Sequence, residues 1–189
     1  NATGKHLPAV GVVTAGLVHV AHMLVPNHEI AFMLPIWLIF THVLVISVMG
    51  HQLEGKRPRL TGLGMAGILL GWGFWSIVIL GIAARRDPMG YFLPDDLGLE
   101  TLVWPILALI AFIAVAWRKV GPVGGALGAE KLRRYGAMWH GVYGVAWFAA
   151  LGLWQATILM AVFTFVGIAC MTLLKELTST DPGMVGYRV

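Results

Sequence analysis

Residues 30–84 read IAFMLPIWLIFTHVLVISVMG (30–50), HQLEGKRPRL (51–60) and TGLGMAGILLGWGFWSIVILGIAA (61–84): two long apolar runs with a short basic segment between them. As helices rising 1.5 Å per residue, both runs are long enough to cross a hydrocarbon core about 30 Å thick. The segment between them carries Lys56, Arg57 and Arg59 with Pro58 as a breaker, so it marks a loop. The same pattern continues outward in both directions. Further apolar stretches fall at about residues 7–25, 99–117, 136–153 and 154–174, which makes six predicted spans. With the N-terminus on the cytoplasmic side, the inward segments hold Lys5, Lys56, Arg57, Arg59, Arg118, Lys119, Lys131, Arg133, Arg134, Lys175 and Arg188. The outward segments hold only Arg85 and Arg86. That asymmetry is the positive-inside pattern. The reading is an all-α, polytopic integral membrane protein of six transmembrane helices, both termini cytoplasmic, in the bacterial inner membrane.

Composition excludes an ordinary soluble domain. Hydrophobic residues make up 58% and charged residues 12% of the chain, against about 25% charged in soluble domains. Chemistry is therefore expected within the membrane or at its faces. The basic pI of about 9.5 comes from loop anchors and does not point to nucleic acid. A single cysteine, Cys170, lies in the last stretch. It forms no internal disulfide and reads as a small apolar helix residue. The first stretch has no strongly charged segment before it and no small-residue cleavage pattern after it, so it reads as a span.

The longest inner loop is expected at Arg118–Arg134, with Gly121-Pro122-Val123-Gly124-Gly125 as a flexible linker rather than a phosphate loop. The outer loop Arg85–Glu100 sets Tyr91 and Phe92 at the interface. Spans five and six share one uninterrupted apolar run. Gly152 and Gln155 are its turn candidates, and a single tilted helix is the alternative.

Histidine is the chemically informative residue. His19, His22, His42, His51 and His140 lie in or at the edges of predicted spans, where ionisable side chains are costly and face a bundle interior or a water path. By helical rise, His19 and His42 reach comparable depth, and His51 with His140 form a second, inner pair. Three readings stay open. Facing imidazoles suit axial ligation of haem or a pigment. His19, His22 and His42 could hold copper or zinc as a metal site. All of them could instead hydrogen-bond between helices or line a proton-sensitive path.

Glycine and aromatic patterns add two more open choices. Gly64, Gly67 and Gly71 in the third span either allow close helix packing or leave room for a pore or flat cofactor. Phe74 and Trp75, and Tyr143 and Trp147 on the His140 face, are either core or constriction residues.

Three segments resemble the acetate uptake transporters. Pro8, Ala9 and Gly11 sit like that family's N-terminal signature, Leu53, Glu54 and Lys56 like its Leu-Glu-x-Lys loop, and Phe74-Trp75 like its Phe-Trp pair. The signature Asn is absent, and Arg57-Pro58-Arg59 replaces the Gly-Asn after the lysine. The resemblance covers about the first 80 residues. It implies a homo-oligomeric, cofactor-free channel for a small weak acid or similar solute, with Pro8 and Gly11 at its entrance and pH-sensing histidines.

The first functional expectation is accordingly a small-solute channel or transporter in the lipid bilayer. The second is a membrane-anchor or accessory subunit of a respiratory or photosynthetic electron-transfer complex. It would bind haem, pigment or quinone through these histidines and assemble with other membrane subunits. Neither requires independent catalysis.

Overall fold

In a computed structural model of the chain, residues 7–26, 32–86 and 98–179 are described, all in helices and short connections. The predicted interface aromatics Tyr91 and Phe92 lie outside them. Six α-helices follow in order: α1 (Pro8–Leu24), α2 (Leu34–Glu54), α3 (Gly62–Arg86), α4 (Val103–Val120), α5 (Gly125–Ala150) and α6 (Trp154–Ser179). A 3-10 turn over Leu99–Leu102 leads into α4. Four of these are long and apolar enough to cross a membrane: α2, α3, α4 with its leading turn, and α6. The 17 residues of α1 make a shorter apolar helix.

Helix ends follow local chemistry. Pro8 opens α1, where its missing N–H costs nothing. The Thr61 hydroxyl accepts from the Gly64 N–H at 3.1 Å and caps α3. Gly55 ends α2 in the left-handed conformation, φ 60°. Gly152, at φ +69°, turns the chain between α5 and α6. The apolar run therefore forms two helices rather than one tilted helix.

The α5 helix departs most from expectation. It starts at Gly125, so most of the expected long loop is helical and only Gly121–Gly124 remains as connection. Ala126, Leu127, Ala129, Glu130, Lys131, Leu132, Arg133 and Arg134 are all strong helix formers. Their charge made this segment resemble a loop only on a hydropathy scale.

Packing organises the helices into two trios joined by an α2/α5 pair. Phe32 meets Trp147, His42 meets Tyr143, and Glu54 meets Arg133, so rising positions on α2 meet falling positions on α5. This pair is antiparallel. On its other side α2 carries α1 and α3; α5 carries α4 and α6. Phe40, Met33, Leu132 and Tyr143 are the largest fully buried side chains among the described residues, and they are spread over three core clusters along the bundle.

Small residues set the close approaches, as expected where association rests on packing. A Cβ on Gly16 would lie 2.8 Å from the Phe40 ring, and one on Gly71 would lie 2.9 Å from Val13 Cγ2. Gly67 faces Ala9 in the same α1–α3 contact, whereas Gly64 meets only residues of its own helix start. Within this chain, Gly67 and Gly71 are thus packing residues.

Candidate functional site

Histidine side chains from three helices converge across the α2/α5 pair. His140 on α5 lies between His19 on α1 and His42 on α2, with ring centroids 5.2 Å and 5.6 Å away. The expected pairing of His140 with His51 is not formed. His51 instead donates from Nε2 to the Pro58 carbonyl at 3.0 Å and ties the basic loop to the end of α2.

His42 is fully engaged. Its Nε2 donates to the Gly136 carbonyl at 3.2 Å, because a carbonyl only accepts. Its Nδ1 is then the acceptor for the Tyr143 hydroxyl, at 3.1 Å. Phe112 stacks edge-on against the same ring at 4.5 Å. In this structure both ring nitrogens of His42, an expected ligand or pore-lining residue, are taken up by hydrogen bonds between helices. His19 donates from Nδ1 to the Ala15 carbonyl at 3.0 Å, which leaves its Nε2 lone pair unused by that bond.

Next to this chain lies a cavity of about 580 Å³, walled by His19, His22 and Met23 from α1, Ile39 from α2, and His140, Tyr143 and Trp147 from α5, with Met160 of α6 closing one side. Two buried polar atoms on residues of this wall have no hydrogen-bond partner among the described residues: His140 Nε2 and Trp147 Nε1. These residues sit seven apart on one face of α5. A buried donor without a partner is costly, the more so where no water is at hand. Tryptophan Nε1 only donates; His140 Nε2 donates or accepts according to tautomer. Both atoms are sealed from solvent, so the surface that the cavity itself presents is almost wholly apolar.

His19 and His140 meet edge-on, with their rings at 71° to one another. No group of three or more His, Cys, Asp or Glu side chains is placed to hold a metal ion among the described residues. The expected His19–His22–His42 metal set is thus not assembled.

The aromatic candidates divide. Tyr143 and Trp147 are buried at the site, whereas Phe74 is 60% exposed on α3. Trp75 packs against the α1–α3 core. Sequence reasoning missed Gly136, whose contribution is a backbone carbonyl that no residue type advertises.

No family model matches the chain, and no curated protein or solved structure is similar to it.

Proposed function

We propose that this protein is a membrane subunit of an electron-transfer complex that holds a quinone headgroup in the cavity walled by His19, His22, His140 and Trp147. In this reading all six helices cross the bilayer, the basic loops and both termini face the cytoplasm, and the membrane is an energy-coupling one such as the bacterial inner membrane. The supporting observation is a largely apolar cavity lined by His19, His22, His140 and Trp147, with His140 Nε2 and Trp147 Nε1 buried and unpartnered beside it among the described residues. Quinone carbonyls would be acceptors for an N–H at either position. Reduction of a quinone to its quinol takes two electrons and two protons. Partner subunits would supply the electrons, and the imidazoles of His19 and His22 line the same wall.

Mass spectrometry of lipid extracts from the gently purified protein tests this, together with quenching of tryptophan fluorescence by a short-chain benzoquinone. Saturable binding that weakens about tenfold in Trp147→Phe and in His140→Leu, and not in Phe74→Ala, is expected. A Soret or far-red band in the native protein would replace quinone with haem or a pigment. Non-saturable quenching with no co-purifying ring compound would end the ring-binding reading altogether.

A transport reading keeps one observation in its favour. The trios α1–α3 and α4–α6 run head to tail about the α2/α5 pair, an arrangement that transporters use around a central site, and the histidine chain lies at their junction. Proteoliposomes that take up acetate, formate or urea no faster than empty vesicles, at acidic and neutral pH, would remove it.

A further inference from the structure

A second cavity, of about 720 Å³, lies between α2 and α4, with Leu132 of α5 in its lining. It is lined along α2 from Trp37 to Leu53 and along α4 from Leu109 to Val120. Trp37 and Leu53 are about 24 Å apart at helical rise, so the cavity is a trough comparable in length to an extended acyl chain.

Its polar groups are already satisfied, unlike those of the first cavity. Trp37 Nε1 donates to Ser76 at 2.9 Å, Thr41 accepts from Trp72 Nε1 at 3.0 Å, and both His42 nitrogens are bonded. The trough has no remaining demand for a polar ligand in its interior. Hydrocarbon fits it.

Charge enters only at one end. Trp117, 80% exposed, sits at the mouth with Gly121 and Leu132. An exposed indole at a helix end is an interfacial anchor. Arg118 and Lys119 follow it directly in the last turn of α4, both exposed, and Lys131 flanks Leu132. A headgroup level is thus marked by an exposed tryptophan at the end of the apolar trough, with Arg118 and Lys119 in the same helical turn beside its lining.

We infer that the α2–α4 trough binds one phospholipid with an anionic headgroup, its acyl chain along α2 and its phosphate held by Arg118 and Lys119. Cations near a membrane surface favour such lipids by about fivefold each.

Native mass spectrometry of the full chain from nanodiscs containing equal phosphatidylglycerol and phosphatidylcholine tests this. Retention of one phosphatidylglycerol per chain, at least about fivefold over phosphatidylcholine, is expected. Arg118→Gln with Lys119→Gln should bring the two lipids to parity. Ala116→Trp, which fills the trough and leaves the cations in place, should abolish retention of both. Folding of each variant is read independently by helical circular dichroism and gel filtration. Equal retention of the two lipids by the unaltered chain would overturn the inference, as would a preference that survives both variants. Displacement of the lipid by millimolar inorganic phosphate would also overturn it, since a free anion would then be the ligand.

Discussion

The α2/α5 crossing can be tested at one methyl group. A Cβ placed on Gly136 would run into Ile46 Cδ1, with Ile46 Cγ1 behind it at 3.3 Å. Gly136→Ala therefore overpacks the crossing, a change that costs about 1–3 kcal/mol. Alanine's better helix propensity returns about 1 kcal/mol, leaving a net loss near 1 kcal/mol. Ile46→Val alone removes the offending Cδ1 and costs about 0.5–1.5 kcal/mol, as truncations of this kind do. In the double variant the clash is gone, the propensity gain remains, and the valine cost roughly cancels it. Its stability should lie within about 0.5 kcal/mol of the unaltered protein, the scatter expected for small independent changes. The single costs add to about 2 kcal/mol, so the expected coupling is about 1.5–2.5 kcal/mol. Reversible unfolding in mixed micelles, followed by far-ultraviolet circular dichroism, measures all four proteins. Simple additivity would refute the crossing at Gly136 and Ile46, and with it the placement of the Gly136 carbonyl against His42.

Other changes probe neighbouring contacts. Tyr143→Phe leaves His42 Nδ1 without its donor and should cost about 0.6–1.7 kcal/mol, the range found for hydrogen bonds between membrane helices. Histidine-labelled NMR should report the Nε2–H tautomer for His42; an Nδ1–H signal would contradict both of its bonds. Gly71→Leu should weaken the protein by about 1–3 kcal/mol by forcing α3 from Val13, whereas Gly64→Ala should stay within about 0.5 kcal/mol. Equal effects in one unfolding assay would contradict the α1–α3 contact. Arg133→Gln breaks the ion pair with Glu54, whose side chains are 43% and 14% exposed. It should cost about 0.2–1 kcal/mol, with a salt-dependent loss. A salt-independent one would assign the effect to packing.

The helices were legible where apolar length decided them. All six expected stretches contain a helix, and Gly152 is the turn that the uninterrupted run between spans five and six required. The start of α5 was not legible, because a charged segment rich in helix formers reads as a loop on a hydropathy scale. That single boundary explains the misplaced histidine. Counted from an expected start at residue 136, His140 lies about 6 Å into its helix; counted from Gly125 it lies about 22 Å in. The first depth pairs it with His51, the second with His19 and His42. Histidine as the chemical residue was readable from its cost in an apolar span. The lock on His42 was not, since half of it is the carbonyl of a glycine, and neither were the two unpartnered atoms, which exist only once the wall is built.

The turn at Leu151, Gly152 and Leu153 bears on how the chain enters a bilayer. It carries no charge and is only three residues long, so drawing it through the hydrocarbon core desolvates no ionised group. The α5 and α6 helices lie antiparallel across it, with Gly141 against Thr164 and Gly144 against Met160. With both helices crossing the bilayer, as in the reading proposed above, they would enter as one hairpin, tip first. Its direction would be decided by what cannot follow the tip: Lys131, Arg133 and Arg134 near the start of α5 and Lys175 near the end of α6. Placing a lysine at Leu153, half exposed and outside the left-handed turn position, would charge the tip and burden the hairpin's delivery rather than its folded packing.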